Sequence, residues 1–145
     1  MAWYDQVHST KKYRLGTRKK DVANKEYIYL TGVASTVAED VVVYDEAYLT
    51  TRAVADEVGP AAVAMAAVDA TTEFGWYQIW GPGTADCATT VSADKQLFLT
   101  STAGRVDDAD VAGDYIIGMY STAAGASNSI TVWLNYPHVC DTAHD

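Results

Sequence analysis

In three stretches of this chain the residues alternate in type with a period of two. Tyr27, Tyr29, Thr31 and Val33 alternate with Ile28, Leu30 and Gly32. Trp76, Gln78 and Trp80 alternate with Tyr77 and Ile79, and Ile130, Val132 and Leu134 alternate with Thr131, Trp133 and Asn135. Successive side chains of a strand point to opposite faces, so this pattern predicts half-buried β-strands. Turn-forming residues interrupt it at short intervals, at Glu39-Asp40, Asp45-Glu46, Gly59-Pro60, Gly81-Pro82-Gly83, Ala103-Gly104, Gly113-Asp114 and Gly125 to Asn128. The pattern predicts about eight or nine short strands, over 26–34, 40–44, 48–53, 61–67, 74–81, 84–90, 96–101, 114–120 and 129–136. Strands at that spacing predict an all-β fold, a small barrel or sandwich. The alanine-rich stretch 61–70 also suits a short helix with Pro60 at its first position. We read it as a strand whose small side chains let neighbouring backbones approach.

Composition supports strands. Val, Ile, Thr, Tyr, Phe and Trp number 53 of 145 residues, against 27 for Leu, Met, Gln, Glu, Lys and Arg, which favours strand over helix. The length fits one domain, and 49% apolar with 11% aromatic residues is enough for a real core. No apolar run reaches the roughly 18 residues of a membrane-spanning helix, so no membrane partner is expected. Residues 1–10 carry no apolar signal core, so the chain is expected to be made in a cytoplasm.

Charge divides the molecule. Residues 1–25 hold seven Lys or Arg against Asp5 and Asp21, a balance of +5, whereas residues 26–145 hold three bases and seventeen acids, a balance of −14. The first 20 residues also lack sustained alternation and mix aromatic with basic side chains. They are expected to form an extended basic arm (1–20) that leaves a β-barrel body (21–145) and orders on a partner. The arm's candidate contact residues are Trp3, Tyr4, Lys11, Lys12, Tyr13, Arg14, Arg18, Lys19 and Lys20. A body of −14 would repel nucleic acid over most of its surface, so a protein partner is expected for the arm rather than DNA or RNA.

Little in the sequence points to catalysis. His8 lies in the arm and His138 and His144 near the C-terminus, where a rigid scaffold for a catalytic histidine is not expected. His138 and His144, with Cys140 and Asp141, could gather a metal ion, but an exposed polar tail is the simpler expectation. The run Asp107-Asp108-Ala109-Asp110 with Asp114 lacks the order of a calcium loop and reads as a solvated acidic loop. Cys87 and Cys140 match no metal spacing and read as two small buried or half-buried thiols. No phosphate loop, dinucleotide fingerprint or nucleophile elbow occurs. Neither enzymatic activity nor a cofactor is expected. Within Phe74-Gly75-Trp76-Tyr77-Gln78-Ile79-Trp80-Gly81 the large aromatics alternate across both faces. Either Trp76 and Trp80 or Tyr77 is therefore expected to pack against a second subunit, where aromatics are enriched.

Several segments resemble the head decoration, or cement, proteins of tailed bacteriophages. They are Tyr13-Arg14-Leu15-Gly16, Glu26-Tyr27-Ile28-Tyr29-Leu30, Gly59-Pro60-Ala61-Ala62-Val63-Ala64-Met65-Ala66, Phe74-Gly75-Trp76-Tyr77-Gln78-Ile79 and Gly104-Arg105-Val106-Asp107-Asp108-Ala109. Ile117-Gly118-Met119 and Ser129-Ile130-Thr131-Val132-Trp133-Leu134-Asn135 are similar to the last strands of small capsid-stabilising proteins with a β-tulip fold. The resemblance covers most of residues 13–136 and carries no active-site residues. It implies a β-tulip-like sandwich that binds the outer surface of an assembled head. In that role it would cross-bridge major capsid protein subunits, touch neighbouring decoration subunits and form a homotrimer. Two other expectations stand beside it, another virion structural component (a minor capsid or tail protein) and a carbohydrate-binding β-domain that uses Trp76, Trp80 or Trp133 as stacking platforms.

Overall fold

The computed structural model describes residues 2–126 and 128–140. Among these the fold is all-β, as the alternation predicts, with a single 3-10 turn at Trp3–Asp5. Eleven strands form in chain order: β1 (Val7–His8), β2 (Arg18–Lys20), β3 (Glu26–Thr31), β4 (Val41–Tyr44), β5 (Thr50–Arg52), β6 (Gly59–Ala64), β7 (Phe74–Ala85), β8 (Gln96–Leu99), β9 (Val106–Asp107), β10 (Tyr115–Ser121) and β11 (Ile130–Cys140). They pair antiparallel in the order β2-β3-β7-β6-β11-β10-β8-β9, with β1 added to β7 and the β4–β5 hairpin added to β6. The path ends on β2, and at its other end β9 is met only by a single parallel bridge, Cys87↔Val106, so the sheet is an open, folded-over sandwich rather than a closed barrel.

The strands stack as layers because several are apolar on both faces. Val41 and Val43 of β4, with Ala61 and Val63 of β6, face one core that also holds Leu97, Leu99, Ile116, Val132 and Leu134. The alternate residues Val42, Tyr44, Ala62 and Ala64 face a second core with Ile28, Leu30, Tyr77 and Ile79. Beyond that layer, Tyr27, Tyr29 and Trp76 point away from the second core into a third, aromatic cluster. The alanine-rich stretch is a strand through Ala64. Its small side chains let the β4–β6 layer lie between two cores.

One expectation fails in the middle of the sheet. Gly81-Pro82-Gly83 does not divide two strands; it is a corner inside β7. Gly81 takes φ +98°, a conformation that favours glycine. The Gln78 side-chain amide fills the corner, donating to the Trp80 and Pro82 carbonyls at 3.0 and 2.9 Å. Residue types that make a turn between strands also make a bend within one. The bend lets β7 change partners. One of its edges pairs with β3 from Phe74 to Trp80. The other is shared in succession by β1, β6 and, from Trp80 to Ala85, β11.

Candidate binding surfaces

The N-terminal segment does not leave the body. β1 pairs with the start of β7, and β2 pairs with β3 in the register Arg18↔Ile28, Lys19↔Tyr27 and Lys20↔Glu26. Between them, the segment's aromatic side chains close over the third cluster. Tyr4 stacks on Tyr27 at 4.7 Å, and Trp3 meets Tyr27 and Trp76 edge-on at 5.4 and 5.1 Å. Tyr13 meets Tyr29 and Trp76 at 5.3 and 5.2 Å. The physical reason is plain. Tyr27, Tyr29 and Trp76 stand on the outer face of β3 and β7, and without a cover they would face water. The segment is a strap, and the aromatic residues expected to anchor it on a partner anchor it on its own body.

Polar contacts pin the strap as well. The Tyr29 hydroxyl donates to His8 Nδ1 at 2.8 Å and accepts from the Lys12 backbone N–H at 3.2 Å. Burial, and secondarily the Lys12 charge, hold the His8 pKa below the ordinary histidine value, which favours the neutral ring, and with Nε2 facing the Gln6 Oε1 acceptor at 3.4 Å the ring proton sits on Nε2 and Nδ1 accepts. Asp21 closes the β2–β3 turn, accepting from the Ala23 and Lys25 backbone N–H groups and from the Tyr27 hydroxyl at 2.9 Å. Burial, reinforced by Asp21, pushes the Tyr27 pKa far up, so its hydroxyl stays a donor.

The arm's cations separate into two groups. Lys19 is half-buried, with its ammonium 4.3 Å from the Trp3 ring centre, 5.3 Å from Tyr13 and 5.6 Å from Trp76. These are cation–π distances, so the strap carries its own cation into its own aromatic cage. Lys11, Lys12, Arg14, Arg18 and Lys20 are exposed and form a basic stripe along the strap. Only Arg18 among these leans on the body, 3.8 Å from Glu26 and 5.9 Å from the centre of the Tyr136 ring.

The expected subunit-contact residues are also redistributed. Trp76 is buried beneath Trp3 and Tyr13. Tyr77 lies in the second core with its hydroxyl donating to the Thr31 carbonyl at 2.9 Å, and burial pushes its pKa far up. Neither is available to a second subunit. Trp80 is half-buried on the opposite outer face of the sandwich, where it meets Trp133 at 5.4 Å and Tyr136 at 5.2 Å. The alternation of β7 shows that the aromatics divide between faces, but the segment that covers one face lies 63 (Tyr13) to 73 (Trp3) residues before Trp76 and leaves no mark on β7 itself.

The other candidate groups do not converge. Asp108 accepts from the Ser92 backbone N–H and Asp107 from Ala109, while Asp114 is buried and caps the Asp56 backbone N–H at 2.9 Å. Among the described residues no three His, Cys, Asp or Glu side chains are placed to hold a metal ion. His138 stands exposed on β11 opposite Ile117, rather than in a tail; Asp141 and His144 lie outside the described residues. Cys87 is buried in the first core and Cys140 is half-buried, both as free thiols.

Two ion pairs escaped the sequence reading. Asp40 is fully buried and accepts from Arg52 Nε at 2.8 Å and from the Val37 backbone N–H at 3.1 Å. Asp86 accepts from Arg105 Nε at 3.2 Å; burial pushes its pKa up, Arg105 opposes the shift and Asp40 adds to it. A signal was present: Arg52 and Arg105 are two of the three bases in residues 26–145. An open groove of about 700 Å³ runs beside the β4–β5 hairpin, with Asp45, Glu46, Leu49, Glu57 and Val58 on its walls.

No known protein family matches the sequence, and neither does any curated protein. The fold is similar to that of the N base of the head fiber protein gp8.5 of bacteriophage phi29. The TM-score is 0.58, with 12% sequence identity, over 81% of this chain and 98% of that one. At that identity the likeness is one of fold.

Proposed function

We propose that this chain is a structural component of a bacteriophage virion, carried on the outside of the head as a non-enzymatic decoration protein. The observation that supports it best is the likeness to a phage head-fiber base, which spans nearly all of that chain. The resemblance of residues 13–136 to head decoration proteins points the same way. In this reading the protein bridges major capsid protein subunits as a homotrimer, each copy meeting its neighbours and the shell.

The charge layout gives the reading a mechanism. The basic stripe of Lys11, Lys12, Arg14 and Lys20 is held in place by the docked strap, so it meets an acidic capsid surface already ordered. The acidic body keeps copies soluble and apart until they are seated. The contact is expected to weaken with added salt, because exposed charges are screened.

Purified heads lacking this chain, mixed with the protein and pelleted, test the reading. Saturable binding is expected. A Lys11→Glu, Lys12→Glu, Arg14→Glu, Lys20→Glu variant is expected to bind at least about tenfold more weakly, each exposed charge contact contributing a fraction of a kcal/mol. No binding to heads would refute the decoration role. The likeness to a fiber base favours a second reading, a component seated at a few head positions only. Imaging of virions labelled against the chain separates the two, since decoration predicts label over the whole head.

A further inference from the structure

The outer face formed by the second half of β7 with β11 and β10 carries no charge. These three strands run for 12, 11 and 7 residues without one Asp, Glu, Lys or Arg. Buried positions account for half of that. The outward half is the informative part, because one residue in five of this chain is charged. There Tyr120 stands opposite Trp133 and Trp133 opposite Pro82, while Trp80 leans on Trp133 and Tyr136. Ile117, Tyr120 and Tyr136 are 40%, 42% and 47% exposed, which is unusual for large apolar side chains on one sheet face.

We infer that this face is where a second copy of the chain docks. Three observations select that occupant. First, two copies each at −9 repel one another, and a charge-free face is where they approach at least electrostatic cost. Second, aromatic residues without charges are the composition of a buried interface centre, and the flanking charged groups Arg18 and Glu26 stand at its edge on β2 and β3, as in a polar rim. Third, at about 3.3 Å per residue and about 4.8 Å between strands, the second half of β7 with β11 and β10 gives a face of roughly 400 Å², enough for the apolar centre of a standard interface of roughly 800 Å² per partner. A flat sugar platform fits less well, because the Trp80 and Trp133 rings stand at 70° to one another and give no shared plane. The inference deepens the homotrimer part of the function proposed above and rests on it only for the claim that copies associate.

Sedimentation equilibrium of the full chain, from low to high micromolar concentration, tests it. An assembled species is expected. Ile117→Lys with Tyr120→Lys is expected to weaken association at least about tenfold, since each copy then brings two cations into the contact. Leu49→Lys with Val58→Lys, equally exposed but in the groove, is expected to leave association unchanged. Should the first variant fail to fold, acrylamide quenching of the tryptophans in the unaltered protein gives the same information. Quenching is expected to fall with concentration as Trp80 and Trp133 are covered. A protein that stays monomeric at every concentration overturns the inference. So does an assembly that only the groove variant disrupts, or a monomer whose tryptophan emission shifts on adding cellohexaose. A monomer that still binds phage heads would sink this inference and leave the decoration role standing; an assembly that ignores heads would do the reverse.

Discussion

Asp40 shows how much one residue can hold. Its carboxylate lies under the loop that carries Gly104, beside Arg52, with one oxygen, Oδ1, left without a partner. Gly104 has φ +83°, and a Cβ there would lie 2.7 Å from the carboxylate. Gly104→Ala therefore combines a left-handed backbone with a clash, and should lower stability by about 1–3 kcal/mol, read from the urea midpoint. Arg52→Ala should cost more, about 3 kcal/mol, because it strands a buried charge. Adding Asp40→Asn to Arg52→Ala should recover part of that loss, and no recovery would mean that Arg52 acts through packing alone. His8 gives a pH signature. Its folded pKa is lowered, so its contribution is complete above the unfolded value of about 6.5 and falls as pH drops through the folded value. Below that, Nδ1 carries a proton and cannot accept from Tyr29. A His8→Gln variant should flatten this part of the stability–pH curve.

At the scale of elements, the strap is the feature whose behaviour is easiest to measure. Removing the Lys19 charge by Lys19→Met should cost about 0.5–2 kcal/mol of strap docking, since three rings surround the ammonium. Trypsin should then cut at Lys11 and Lys12 faster than in the parent, and equal rates would mean that the aromatic stacking alone holds the strap. The strands themselves were largely legible. β3, β4, β6, β10 and β11 overlap the spans expected of them, because alternation marks a strand buried on one face and a short apolar run between turn residues marks one buried on both. The two-residue strands β1 and β9 left no trace, being too short to show a period. The corner in β7 was misread because glycine and proline mark a bend without saying whether the chain pairs on both sides of it. The strap's docking was hidden for another reason. A covering segment contributes isolated aromatics at irregular spacing, and only the tertiary fold shows that Trp3, Tyr4 and Tyr13 meet one cluster.

For the whole molecule, the strap changes where the domain begins. Tyr27, Tyr29 and Trp76 are buried largely because residues 3–15 cover them. Deleting residues 2–20 should therefore yield a body that binds the dye ANS and aggregates rather than a soluble trimmed domain. A monodisperse, ANS-negative product would show that the body stands alone. The charge division survives in a sharper form: aromatic side chains of the N-terminal segment turn inward, cations outward, and the acidic body carries its few arginines on buried carboxylates. The candidate surfaces were half visible in advance. Trp80 and the basic residues were marked by type and spacing, but which aromatics remain exposed depends on what the fold lays over them.

The shared edge of β7 also bears on how the chain is made. The half of that strand before the corner finds its neighbours among residues already synthesised, from β1, β3 and β6. The half beyond it pairs with Ile130 to Asn135, which leave the ribosome some 45 residues after Ala85. For a time on the order of seconds the nascent chain carries a raw, apolar strand edge from Trp80 to Ala85. Pro82 is tolerated in the middle of that stretch because its carbonyl turns to the Gln78 amide, so its missing N–H lies on the edge away from β11. The residue that looked like punctuation thus leaves the waiting edge complete for the last strand to arrive.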